Sequence, residues 1–235
     1  YPPHPDLLEA LSRAARDAAT AGYGPIEFKD DAPANAGVGS GAFPTRFVDA
    51  DGHPVDLVRY RGQKKLVLVV LRGLARSEGG RVCPSCFAQA LGMTAKAAAF
   101  EERGAVVLFV FPGEGAGGFL QEFRAGARDE RITPPQLLLD RHCEACDRLG
   151  IRDDLAKPST YILDRQGNVV YAYVGETSTD RPSVKAVLAQ HGLAKPSVAR
   201  VSGAAWRSAS SVAATRALSE RSRISSSACR AASNW

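Results

Sequence analysis

The chain has 235 residues, 45% of them hydrophobic and 23% charged, with a formal net charge of +5. That is enough apolar material for one sizeable core, which excludes a wholly disordered chain and favours one compact domain with appendages over two full domains. The charge is uneven: seven basic residues and one acidic residue lie from Lys195 onward, so the body before them is near neutral and no nucleic-acid partner is expected.

Residues 5–21 carry Leu7, Leu8, Leu11, Ala14, Ala15 and Ala18 at helical spacing, which predicts an amphipathic N-terminal helix. Glycines at 37, 39 and 41 then mark a loop. Residues 45–60 read as a hairpin around Asp49-Ala50-Asp51-Gly52. The run Leu66–Leu71 is continuously apolar, as in a central parallel strand covered on both faces. A helix from about Pro84 to Arg103 follows, then a second apolar strand from Ala105 to Phe111, a helix over 117–127 and a short strand at Leu137–Leu139.

Further on, His142–Leu149 predicts a helix stopped by Gly150. Thr160–Leu163 and Val169–Val174 flank Asp164-Arg165-Gln166-Gly167-Asn168 as a hairpin, and residues 182–191 form a closing helix with Pro182 in its first turn. This order gives an α/β sandwich, a central mixed sheet flanked by helices. The expected organisation is an N-terminal helix and loop over 1–42, the main domain over 43–194, and a Ser-, Ala- and Arg-rich tail over 195–235, read as disordered.

Five cysteines are too few for a disulfide-held miniature fold, and four of them form two CxxC pairs, Cys83/Cys86 and Cys143/Cys146. Cys229 stands alone in the tail and reads as an incidental thiol. Cys83 follows the loop that leaves the first central strand, and Pro84 suits the first position of a helix. Free backbone N–H groups and the positive end of the helix dipole would there favour a thiolate on Cys83. Cys86 lies one turn on, within disulfide reach. The pair therefore supports a two-step cycle in which Cys83 attacks an oxidised sulfur or a peroxide oxygen and Cys86 resolves the product as a disulfide. An external thiol reductant must then regenerate the dithiol.

Arg72-Gly73 after an apolar strand, Val82-Cys83-Pro84-Ser85-Cys86 opening a helix, and the segment from Ala156 to Gly167 together resemble the redoxin or AhpC/TSA (peroxiredoxin-like) branch of the thioredoxin-like superfamily, over about residues 43–193. The resemblance implies a thioredoxin-like fold. It also implies that Pro158 is a cis-proline lying against the dithiol, shielding the sulfurs while the backbone beside it, with Lys157, supports an extended substrate. Arg72 is a candidate thiolate stabiliser, with an exposed or structural arginine as the other reading. The chain departs from the peroxiredoxin pattern at two places: Gly80 stands where that pattern has Thr and Arg76 where it has Pro.

The second pair, His142-Cys143-Glu144-Ala145-Cys146, is open between inert thiols, a second redox or structural disulfide, and a metal site lacking a fourth ligand of suitable spacing. His4, His53 and His191 read as solvated. GxxxxGK(S/T) does not occur, and no cofactor is expected. No run approaches the roughly 18 apolar residues of a membrane-spanning helix, and no apolar signal core opens the chain, which begins with Tyr1, so the compartment stays open and no membrane partner is expected within it. The expected function is a thiol-disulfide oxidoreductase acting on thiol or disulfide proteins. A thiol-dependent peroxidase using Cys83 and a non-catalytic thioredoxin-like binding module are the alternatives.

Overall fold

The computed structural model describes residues 26, 28–37, 43–74, 83–127 and 132–193. The N-terminal helix over 5–21, most of the loop around Gly39 and Gly41, the tail from Lys195 with Cys229, and positions 76 and 80 lie outside the described residues.

Seven strands form one mixed sheet: β2 (Arg46–Asp49), β3 (Pro54–Asp56), β4 (Lys65–Val70), β5 (Ala105–Pro112), β6 (Leu137–Asp140), β7 (Ser159–Leu163) and β8 (Val169–Val174). Their order across the sheet is β3-β2-β6-β5-β4-β7-β8. β4, β5 and β6 run parallel, while β7 pairs antiparallel with β4, and β2 antiparallel with β6. The central strands do not alternate apolar with polar residues: Val67, Leu68, Val69 and Val70 are all fully buried, because helices or loops cover both faces there.

The alternation of β4 and β5 divides the interior into two cores. Val67, Val69, Phe109 and Phe111 point into one, with residues of α1 (Pro84–Ala95), α2 (Ala97–Glu101), α3 (Ala116–Gly126) and α5 (Val184–Ala189). Leu66, Leu68, Val70, Leu108 and Val110 point into the other, with Phe43, Leu57 and residues of α4 (Glu144–Arg148). Cys83 and Cys86 belong to the first core and Cys143 and Cys146 to the second. No helix among the described residues is long and apolar enough to cross a membrane.

Three expectations need correction. The helix expected over Pro84–Arg103 is two helices, because the backbone leaves helical geometry at Lys96 (φ −109°, ψ 18°) before α2 turns Phe100 into the core. Pro182 does not open the last helix. It belongs to β9 (Arg181–Pro182), and Ser183 caps α5 by accepting the Ala186 N–H at 3.0 Å. Finally, every peptide bond among the described residues is trans, including Lys157–Pro158, so the cis-proline implied by the resemblance is absent. Trans is the intrinsic preference of an X-Pro bond, and here Pro158 packs under Gly175 while its carbonyl accepts the Gly175 N–H at 2.8 Å.

A short strand outside the seven, β1 (Phe28–Lys29), pairs parallel with β9. Lys29 carbonyl accepts the Ser183 N–H at 2.9 Å, and Lys29 Nζ lies 3.0 Å from Asp180 Oδ1. Tyr171 and Tyr173 of β8 close the same region, donating to Ala32 carbonyl at 2.9 Å and to Asp180 Oδ1 at 2.7 Å. These contacts fix the backbone immediately around Arg181.

Candidate active site

α1 follows β4 in chain order and starts at the carboxyl end of the parallel strands. Cys83 is its N-cap, and the Cys83 sulfur accepts the Cys86 N–H at 3.4 Å. Pro84 fills the first helical position, where a missing N–H costs nothing. This much agrees with the sequence reading. Both sulfurs are more deeply placed than a surface dithiol, with Cys83 1% and Cys86 2% exposed.

Arg181 completes the site and was not singled out by the sequence. Its side chain is 1% exposed. The Nη2 nitrogen donates to Cys86 Sγ at 3.1 Å and lies 3.9 Å from Cys83 Sγ, while Nη1 donates to Gln89 Oε1 at 2.6 Å and Nε to Ser178 carbonyl at 3.2 Å. A buried guanidinium needs a counter-charge, and among these partners only a thiolate supplies one. Its signal in the sequence is faint: an arginine between Asp180 and Pro182, 95 positions from Cys86, in no recognisable motif.

These contacts place the charge. Burial opposes ionisation of Cys86, but the Cys83 thiol, the Arg181 charge and the Arg72 N–H at 3.2 Å outweigh it and bring its pKa down to about 6. Cys83 moves the other way. Its thiol is hydrogen-bonded to Cys86, and burial and the neighbouring negative sulfur push its pKa well above the ordinary value. Both the directions of these shifts and the shorter Arg181 contact favour the negative charge on Cys86. The helix start by itself favours a charge on Cys83, but donors from the end of β4, from β9 and from Cys83 itself converge on Cys86, whereas Cys83 has a longer contact with Arg181 and the Cys86 N–H.

Arg72 acts on the site through its backbone N–H. Pro158 is buried and Lys157 exposed, and the register that sets Ser159 opposite Val70 puts both at the sheet end that carries Arg72. The backbone beside Pro158 is internally occupied: Lys157 N–H donates to Ile151 carbonyl at 2.8 Å, Lys157 carbonyl accepts Ser159 Oγ at 3.0 Å, and Pro158 carbonyl is taken by Gly175. β7 itself is paired on both sides, by β4 and β8.

The second cysteine pair sits at the same end of the sheet but in the opposite core. Cys143 adopts a left-handed backbone (φ 56°) just before α4. Asp140, not a cysteine, caps this helix, accepting the N–H groups of Ala145 at 3.2 Å and Cys146 at 3.1 Å. Burial and the adjacent Asp140 carboxylate raise the Cys146 pKa above its ordinary value, and burial raises that of Cys143 despite the nearby Arg152 charge. Neither thiol has the lowered pKa of a reactive cysteine. His142, Cys143 and Cys146 do not gather as metal ligands; among the described residues that geometry is met by Asp49, Asp51 and His53 in the exposed β2–β3 turn. A groove of about 420 Å³ beside α4, lined by Arg46, Phe47, Leu139 and Arg148 among others, lies on this face of the sheet, away from Cys83 and Cys86.

The AhpC/TSA family profile matches residues 38–172, which includes both cysteine pairs. No curated protein matches the chain significantly. Solved structures of similar fold include the reduced 2-Cys peroxiredoxin of Plasmodium vivax, at 16% identity over 65% of this chain and 79% of that one, with a TM-score of 0.51. They also include a cysteine-to-serine form of peroxiredoxin 6 from Arenicola marina, at 13% identity over 66% of this chain and 71% of that one, with a TM-score of 0.54. These likenesses establish a thioredoxin-like fold.

Proposed function

Because the chain belongs to the AhpC/TSA family and is a thiol-dependent oxidoreductase, we propose that it reduces hydroperoxides at the Cys83/Cys86 dithiol and that an external thiol restores the reduced state. The observation that carries this reading is the buried guanidinium of Arg181 on the Cys86 sulfur. It favours a thiolate at neutral pH on a sulfur only 2% exposed, too deep for the disulfide of a folded protein to approach. The occupied backbone around Pro158 points the same way, since it leaves no open edge there for an extended peptide.

The Cys86 thiolate attacks the terminal oxygen of ROOH. The O–O bond breaks, Cys86 becomes a sulfenic acid, and the leaving alkoxide takes the proton of the Cys83 thiol. Cys83, now a thiolate, attacks the Cys86 sulfur and expels hydroxide, which closes the Cys83–Cys86 disulfide. Dithiol monoanion plus ROOH thus gives disulfide, ROH and hydroxide. The roles are the reverse of those expected from sequence, with Cys86 the peroxidatic sulfur and Cys83 both proton donor and resolving thiol.

The test is the stoichiometry of the reduced protein with hydrogen peroxide. One equivalent should be consumed faster than by free cysteine, two thiols should be lost, and the mass should fall by two hydrogens with the link mapped to Cys83 and Cys86. A rate no greater than that of a free thiolate at the same pH would sink the reading. The three-residue Cys83-to-Cys86 spacing favours one second reading, a disulfide oxidoreductase. Turnover of insulin disulfides without accelerated peroxide consumption would select it.

A further inference from the structure

Gln89 lies three residues after Cys86 on α1, on the same helix face, and is 3% exposed. Its Oε1 is committed to the Arg181 guanidinium at 2.6 Å. Its Nε2 is buried and has no hydrogen-bond partner among the described residues. Arginine offers only donors, so Oε1 must be the atom facing it and the NH2 group cannot be flipped into that contact. Buried amide donors are rarely left unpaired, and each exception calls for an explanation, a redox or catalytic role among them. The amide beside the guanidinium that holds Cys86 is therefore a hydrogen-bond donor fixed in place before any substrate arrives.

The sequence leaves a place for such a donor. The peroxiredoxin pattern places a threonine three residues before its reactive cysteine; with Cys86 in that role the position is Cys83, so no threonine hydroxyl lies there. From this geometry we infer that Gln89 Nε2 is the substrate-side donor of the reaction, binding the oxygen that leaves as the O–O bond of the hydroperoxide breaks. The inference rests on the peroxidase reading. In the step concerned, the Cys86 thiolate forms the S–O bond, the bonding pair of O–O passes to the departing RO oxygen, Nε2 and Arg181 donate hydrogen bonds to that oxygen as it gains charge, and the proton that completes ROH comes from Cys83. A donor fixed on developing charge strengthens in the transition state, which is how it raises a rate.

Two variants separate this role from simple support of Arg181. Gln89→Glu keeps an acceptor toward the guanidinium and loses the donor, while Gln89→Leu loses both. The readout is the ratio of the second-order rate constant with hydrogen peroxide to that with iodoacetamide at one pH. Both reagents need the thiolate, but only the peroxide releases an oxyanion, so a changed thiolate fraction cancels. Thermal melting of each variant establishes that it folds, and either variant alone decides the outcome.

The ratio should fall about 100-fold in both variants. A wild-type ratio in Gln89→Glu, or equal losses with both reagents, would overturn the inference and leave Gln89 as a spacer for Arg181. If instead the wild-type protein shows no accelerated peroxide reaction, the proposed function fails first and this inference with it. The two failures are distinct.

Discussion

Replacing Arg181 with Met removes the guanidinium charge that contacts the Cys86 sulfur while keeping a long side chain in the same space. Two unit charges about 4 Å apart interact by about 4 kcal/mol at an effective dielectric constant of about 20. At about 1.36 kcal/mol per unit, that corresponds to about three pKa units. Removing it should carry Cys86 from about 6 back to the ordinary thiol value of 9.0 or beyond. At pH 7 the ionised fraction would drop from about nine-tenths to about one-hundredth, so thiolate reactions should slow on the order of 100-fold. The assay is the pH profile of monobromobimane alkylation at Cys86, located by mass mapping, with melting curves to establish folding. Arg181→Lys, which keeps the charge and loses the planar fork, should fall between. The same thiolate stabilises the reduced protein by about 1.4 kcal/mol at pH 7, so Arg181→Met should also lower the reduction potential by about 30 mV. An alkylation midpoint unmoved in Arg181→Met would refute the placement of the charge.

In the wild-type protein the reactivity of Cys86 should rise through a midpoint of about 6. The sign follows from its depressed pKa: the contribution of the charged form is complete above the ordinary thiol value and is lost as pH falls through about 6. Reaction with iodoacetamide should slow about tenfold between pH 7 and pH 5, and a midpoint near the ordinary thiol value would contradict this. A β-carbon at Gly175 would collide with the Asp180 carbonyl and press on Pro158, so Gly175→Ala should cost about 1–3 kcal/mol and slow the Cys86 reaction by displacing β9. Chemical denaturation and alkylation rates check both effects, and a variant as stable and as fast as wild type would show that the segment is free to shift. Mass mapping after brief alkylation of the native protein at about pH 7 should find label on Cys86 and little on Cys143 or Cys146, whose pKa values are raised. Prompt labelling of Cys146 would reopen its case as a reactive thiol.

The central fold was legible because its signals are local. Leu66–Leu71 and Ala105–Phe111 read as covered strands and occupy the middle of the sheet, and the strand-loop-CxxC-helix order placed Cys83 at a helix start. The break at Lys96 was not legible, because Thr94–Ala99 is an alanine-rich stretch without a helix breaker and the bend serves the distant packing of Phe100. Pro182 misled in the opposite direction: proline suits both a first helical turn and a short edge pair, and only the contact with Lys29 distinguishes them. The proposed charge on Cys86 was not legible for the same reason that Arg181 was missed. Local helix electrostatics favour Cys83, but Arg181 and the Arg72 N–H come from other elements and meet at Cys86. Chain proximity carries no trace of that convergence.

The most direct measurement is single-turnover peroxide consumption by the reduced Cys83→Ser and Cys86→Ser variants. Cys83→Ser should still consume one equivalent and retain a sulfenic acid on Cys86 that dimedone traps, while Cys86→Ser should show no fast phase. A fast phase in Cys86→Ser, with the sulfenic acid on Cys83, would contradict the account.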